Sequence, residues 1–273
     1  VLYSLGIRAK AYSKGQTMAT KKRLDQLLVD RGLIETRTKA QGVILAGKVR
    51  VAGQVVCKAG HAVPVEAPIT LAEPPRFVGR GGLKLEAALT TFGVEVQATV
   101  ALDVGASTGG FTDCLLRYGA KRVYAVDVGY GQLHHTLRID PRVIVLERVN
   151  VRTAPLELIP EPVDLAVMDV SFISATLLFA PVLRWLRAGG RLVVLVKPQF
   201  EAGRKEVGKG GIVRDPRVHE DAIEKIRRSL LDLGCTIEGV CPSPISGADG
   251  NLEFLLTALY SSPTHCRIYP VLG

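Results

Sequence analysis

The spacing of apolar residues changes character near residue 75. Leu24, Leu27, Leu28 and Leu33 recur at helical intervals and predict an amphipathic helix closed by Gly32. Residues 38–45 predict a second helix ending at Gly47, and Val49, Val51 and Val55 around Gly53 predict a hairpin. Residues 61–72 suggest one more short strand. Beyond Pro74-Pro75 the run RFVGRGG reads as a linker, and a helix is expected from about Leu83, with Leu85, Ala88, Leu89 and Phe92 on one side. From Val100 onward strands and helices alternate. Apolar runs at 100–107, 122–129, 143–150, 163–171 and 191–198 predict strands, with helices at 109–119, 132–138, 173–187 and 216–233. Runs at 235–244 and 252–260 close the series. Near-continuous apolar strands separated by helices predict an α/β fold with a doubly wound parallel sheet, whose ligands bind at the C-terminal strand ends.

The expected organisation is a tail over 1–20, a small α+β domain over 21–75, a linker over 76–82, a larger domain over 83–261 and a tail over 262–273. Met18 opens MATKKRLDQLL, which reads as a natural start of translation.

Charge sharpens the division. Residues 1–76 hold 13 Lys/Arg against 5 Asp/Glu, whereas residues 77–273 hold 22 against 21. A positive field confined to the first quarter of the chain points to an anionic partner there, nucleic acid foremost. Lys21, Lys22, Arg23, Arg31, Arg37, Lys39, Lys48 and Arg50 are the candidate contacts. Arg204, Lys205 and Lys209 join them in the long Gly-rich loop GRKEVGKGGIVRDP, read as a mobile lid. No run of about 18 apolar residues occurs, so no spanning helix is expected. The five cysteines lack metal-ligand spacing and His134, His135 and His219 lack a matching ligand set, so no metal is expected.

Chemistry concentrates at strand ends. The run Asp103-Val104-Gly105-Ala106-Ser107-Thr108-Gly109-Gly110-Phe111 couples an acid to glycines that allow close backbone approach to a ligand. It is not a dinucleotide fingerprint, because Ser107 stands where the middle glycine belongs. Asp127 and Asn150 end the next two strands. Asp169 follows LAVM and Lys197 follows LVVLV, positions where an unpaired buried charge would be costly.

Two family resemblances rest on these residues. RLDQLLVDRGLIETRTKAQGVILAGKVRVAGQVV is similar to the RNA-binding domain named after ribosomal protein S4. Asp-x-Gly followed by Gly-Gly-Phe-Thr resembles the cofactor loop of class I methyltransferases, in the form typical of the FtsJ-like RNA ribose methyltransferases. The resemblance implies a seven-stranded Rossmann-like sheet that binds S-adenosyl-L-methionine through Asp103, Gly105, Ser107, Thr108, Gly109, Gly110, Phe111, Asp127 and Asn150. Asp127 would take the ribose hydroxyls and Asn150 the adenine edge. It also implies a catalytic Lys-Asp-Lys-Glu set, matched in order by Lys84, Asp169, Lys197 and Glu253. Lys197 would be the base, with Lys84 a second cation favouring its neutral form and holding the hydroxyl. Asp169 would orient Lys197, and Glu253 would position the lysines or the ribose.

The order of the two domains resembles the TlyA family, which implies 2′-O-methylation of cytidine in ribosomal RNA of the small and large subunits, in the cytoplasm. Members of that family are also labelled haemolysins. A membrane-acting protein and an RNA-binding protein with an inactive methyltransferase fold are therefore the rival expectations.

Overall fold

The computed structural model describes residues 20–72, 75–203, 205–247 and 249–261. The proposed start at Met18, the terminal tails and Arg204 lie outside them. The chain divides into two compact units, one before Pro75 and one from Pro75 onward.

In the first unit β1 (Lys21–Arg23) leads directly into α1 (Leu24–Asp30), followed by α2 (Arg37–Leu45), β2 (Val49–Val51), β3 (Gln54–Val55), β4 (Ala62–Pro64) and β5 (Ile69–Leu71). Antiparallel β1 and β4 pair, and β2 is flanked by β3 and β5. Leu24, Leu27, Leu28, Ala40, Ile44, Val49 and Val63 form its core. Thr36 caps α2 through the Lys39 N–H, which is why that helix starts where it does.

A buried acid organises this small unit. The Asp25 side chain is fully enclosed and accepts hydrogen bonds from Arg23 (3.1 and 2.9 Å), Arg37 (3.0 Å) and Gln41 (3.1 Å). The Arg23 hydrogen bond, opposed by burial and aided by Gln41 and Arg37, holds its carboxyl well below the usual carboxylate range. A depressed folded-state pKa stabilises above the unfolded value, near 4, and the gain is lost as pH falls toward the folded value. Asp25→Asn is therefore expected to destabilise this unit by about 1–3 kcal/mol at pH 7. In denaturant unfolding, the gap between variant and wild type should close in strong acid.

The second unit is a seven-stranded sheet in the order β11-β12-β10-β9-β6-β7-β8. Its strands are β6 (Val100–Val104), β7 (Arg122–Asp127), β8 (Val143–Glu147), β9 (Val163–Met168), β10 (Leu186–Val196), β11 (Cys235–Pro242) and β12 (Phe254–Tyr260). Neighbours from β10 through β8 run parallel, and β12 is antiparallel to both its neighbours. Alternate residues of β6 feed two cores, Val100, Leu102 and Val104 on one face and Ala101 on the other. The helices are α3 (Gly81–Phe92), α4 (Gly110–Arg117), α5 (His135–Arg138), α6 (Thr176–Leu183), α7 (Pro198–Glu201) and α8 (Pro216–Asp232). Strand order reverses at β6, so the crevice lies beyond the ends of β6 and β9.

Two expectations are corrected. Residues 76–82 are not a free connector, since Phe77 is buried in the second unit and Val78 N–H donates to Asp113 at 2.9 Å. The glycines had suggested a linker, but Gly82 is small to admit the Phe77 ring, and α3 already begins at Gly81. The helix expected through Arg187 stops at Leu183. Trp185 is buried, and β10 starts at Leu186, opposite Val163. The Gly189-Gly190 pair, with Gly189 at φ +73°, sits in an irregular stretch where register shifts between Leu186 and Arg191.

Candidate active site

The loop after β6 is shaped by hydrogen bonds to its neighbours. Gly105 and Ala106 N–H groups donate to the Val126 carbonyl at 2.9 and 3.2 Å. Ser107 has φ +49° and donates its N–H to Asp127 Oδ2 at 2.7 Å, while Gly129 N–H donates to Asp127 Oδ1 at 2.7 Å. Asp127 is thus aimed by two backbone groups, with lone pairs left on each oxygen. Asn150 accepts from Arg152 N–H at 3.1 Å through Oδ1, leaving its amide hydrogens for a ligand.

Gly105 is the tightest point. At φ +85°, a Cβ there would lie 2.5 Å from the Asp169 carbonyl oxygen. Gly105→Ala should cost roughly 1–3 kcal/mol for its backbone conformation alone. Forcing β6 away from Asp169 should also weaken cofactor binding at least tenfold, read by calorimetry beside a thermal melt.

Not every predicted cofactor residue reaches the crevice. Asp103 and Gly109 stand behind its wall. Gly109 makes room for Leu133 and Leu137, whose atoms a Cβ would strike. Asp103 is fully buried, accepts from Thr112 Oγ1 at 2.6 Å through Oδ2, and leaves Oδ1 without a partner. Burial first, then the charges of Asp169 and Asp127, push its carboxyl up to about 7 against the Thr112 hydrogen bond.

Three cavities follow one another along the strand ends. The first, about 360 Å³, is lined by Gly105, Ser107, Asp127, Asn150, Val151 and Phe172 among others. The second, about 220 Å³, adds Thr108, Gly110, Phe111 and Lys197. The third, about 470 Å³, contains Lys84, Lys197, Gln199, Phe200 and Glu253. Ser171 lines all three.

The four candidate catalytic side chains converge as two ion pairs. Sheet register explains why, because Val196 opposes Phe254 and so brings Lys197 beside Glu253 at one edge. Lys84, on the first turn of α3, pairs with Glu253, and both are buried, at 8% and 4% exposure. Lys197 Nζ lies 2.6 Å from Asp169 Oδ1 and donates to Ser171 Oγ at 2.8 Å. Lys84 is thus a compensated charge, held by Glu253. Sequence reasoning did not select Ser171, Phe172 or Gln199 as site residues. Phe172 is 93% exposed at φ +65°, and Gln199 Oε1 is buried without a partner.

The predicted RNA contacts are largely tied to the protein. Arg23 and Arg37 serve Asp25, Lys22 pairs with Asp30, Lys39 with Glu35, Arg31 donates to the Val65 and Ala67 carbonyls, and Arg50 to the Gly53 carbonyl. Lys21 and Lys48 have no ion-pair partner among the described residues. Lys205 and Lys209 are exposed on the loop after α7. That loop is anchored at its far end, where Asn251 receives Val213 N–H and donates to the Gly211 carbonyl, each at 2.9 Å. Among the described residues no helix is long and apolar enough to cross a membrane, and no three acidic, His or Cys side chains cluster as metal ligands.

Comparison with known proteins decides the family. The sequence profile of FtsJ-like methyltransferases matches residues 77–260, and that of the S4 domain matches residues 22–69. The chain belongs to the FtsJ-like methyltransferase family.

Among its relatives is a Bacillus subtilis protein provisionally named an rRNA methyltransferase, YqxC, 51% identical over 86% of this chain and 85% of the relative. The 16S/23S rRNA (cytidine-2'-O)-methyltransferase TlyA of Mycobacterium tuberculosis is 44% identical over 88% of this chain and 90% of the relative. A solved structure from Streptococcus thermophilus, provisionally named a hemolysin, has 43% identity and a TM-score of 0.68, covering 89% of this chain and 90% of that one. S-adenosyl-L-methionine is the cofactor of this FtsJ-like methyltransferase, and the crevice fits it. Gly105 lines the first cavity at a backbone position that leaves no room for a Cβ, Asp127 offers lone pairs to the ribose hydroxyls, and apolar Val128 and Val151 line the same cavity.

Proposed function

We propose that this FtsJ-like methyltransferase moves the methyl group of S-adenosyl-L-methionine to the 2′-hydroxyl of a cytidine ribose in ribosomal RNA, in the cytoplasm. The observation that carries the reading is that Lys84, Glu253 and Lys197 line one cavity, while Asp169, paired with Lys197, lines the two neighbouring cavities that hold Gly105, with Ser171 common to all three. The names of the relatives support cytidine in ribosomal RNA.

The cofactor supplies an electrophilic methyl carbon on a sulfonium, with a neutral thioether as leaving group. The chain's part is to deprotonate and align. Lys197, when neutral, would accept the hydroxyl proton and leave the oxygen pair free to take the methyl group, whose former bonding electrons would stay with the thioether sulfur. The proton leaves Lys197 for solvent. Asp169 then balances the ammonium, and Lys84, fixed by Glu253, holds the hydroxyl oxygen. In-line placement of oxygen, carbon and sulfur supplies much of the rate. The S4 unit and the Lys205–Lys209 loop would hold the RNA by its phosphates and shape.

Incubation with methyl-labelled cofactor and separated ribosomal subunits tests this. Label is expected in ribosomal RNA, and no transfer by protein that binds cofactor would leave an RNA-binding protein with an inactive fold. Some relatives carry the name hemolysin. A liposome-leakage assay in parallel is expected to show no release.

A further inference from the structure

We propose that Ser171 is a positioning residue that turns the lone pair of Lys197 toward the ribose hydroxyl. The inference rests on the assignment of Lys197 as the base.

A lysine amine can act as a base only when neutral, and it then has two N–H bonds and one lone pair. Nothing in a flexible four-carbon side chain fixes the direction of that lone pair. Its surroundings must do so. Around Lys197 the contacts are unequal. Asp169 Oδ1 is close, at 2.6 Å, yet makes no hydrogen bond of acceptable direction and is left unpartnered in that sense. The carboxylate therefore acts on Lys197 mainly as a charge. The Phe200 ring, 5.9 Å away, is a weak contact. Ser171 Oγ, at 2.8 Å, is the directional partner of Lys197 Nζ among the described residues.

Two constraints then fix the neutral amine. One N–H is held by Ser171. The negative charge of Asp169 attracts the second N–H and repels the lone pair. What remains is the tetrahedral direction away from both groups, and Lys197 lines the cavity it shares with Lys84 and Glu253 as well as the one beside Gly105. Ser171 also lies where the cofactor cavities meet this one, so the orientation is set at the junction where methyl carbon and hydroxyl must align. The β9 strand supplies Asp169 just beyond its end and Ser171 two residues later, so one turn carries both constraints.

The test compares wild type with Ser171→Ala, Ser171→Thr and Lys197→Ala, using methyl-labelled cofactor and ribosomal subunits from cells lacking the modification. Ser171→Ala is expected to lower kcat about 10- to 100-fold through misorientation. KM for the subunits, cofactor affinity and melting temperature should stay within about threefold of wild type, a split that loss of fold or of binding would not give. Ser171→Thr, which keeps the hydroxyl, should recover most of kcat. Ser171→Ala with wild-type kcat beside an inactive Lys197→Ala would overturn the orienting role alone, as would equal impairment of the alanine and threonine variants. Full activity of Lys197→Ala would overturn the underlying assignment, and the inference with it.

Discussion

Replacing Lys197 with alanine is expected to slow methyl transfer by about 10²–10⁴-fold, the range for loss of a positioned general base. Cofactor affinity should change little, because Asp127 and Asn150 line the first cavity without Lys197, which lines the second, beside Asp169, and the third. Removal of the ammonium also frees Asp169, but that carboxylate is partly exposed and can be hydrated. The stability cost should therefore be modest. Single-turnover kinetics with methyl-labelled cofactor, beside calorimetric binding, separates the two effects. Lys197→Arg should not rescue, since guanidinium stays protonated and cannot accept the hydroxyl proton.

The second large effect concerns stability as well as rate. The Lys84–Glu253 pair is enclosed, with little side-chain surface left to water. Truncating either partner strands the other charge, which costs about 3–5 kcal/mol for buried pairs. Lys84→Ala or Glu253→Ala should lower the denaturation midpoint of the second unit accordingly. The double variant Lys84→Met with Glu253→Leu removes both charges and should recover most of that stability. It should not recover methyl transfer, because nothing then holds the hydroxyl oxygen from that side. Recovery of both would reduce the pair to a structural role.

The sequence was most legible where charge followed apolar strands. Asp169 and Lys197 were conspicuous because LAVM and LVVLV leave no structural reason for a charge, Asp127 stood out as the acid ending the second strand, and the fold sets all three at the C-terminal edge of the sheet. Alternation of strands and helices likewise announced the doubly wound sheet. Pairing was not legible. Lys84 and Glu253 are 169 positions apart, and only the packing of α3 against β12 brings them together. The basic N-terminal quarter was read as a surface for an anionic partner. Single-residue charge counting cannot see that Asp25, on the first turn of α1, collects Arg23 and Arg37. Gly109 looked like a cofactor glycine, yet its small size serves Leu133 and Leu137, because glycine spacing does not say which neighbour comes close. Ser171 and Phe172 carried no signal of their own, being ordinary residues in a turn whose position matters only once three cavities meet there.

On the proposed function, the four charged groups act on a ribose oxygen. Mass spectrometry of nucleosides from ribosomal RNA treated with the enzyme and methyl-labelled cofactor tests it most directly. The labelled product should be 2′-O-methylcytidine, formed by wild type and absent with Lys197→Ala. Label on a base carbon or nitrogen, or a labelled ribose formed equally by Lys197→Ala, would contradict it.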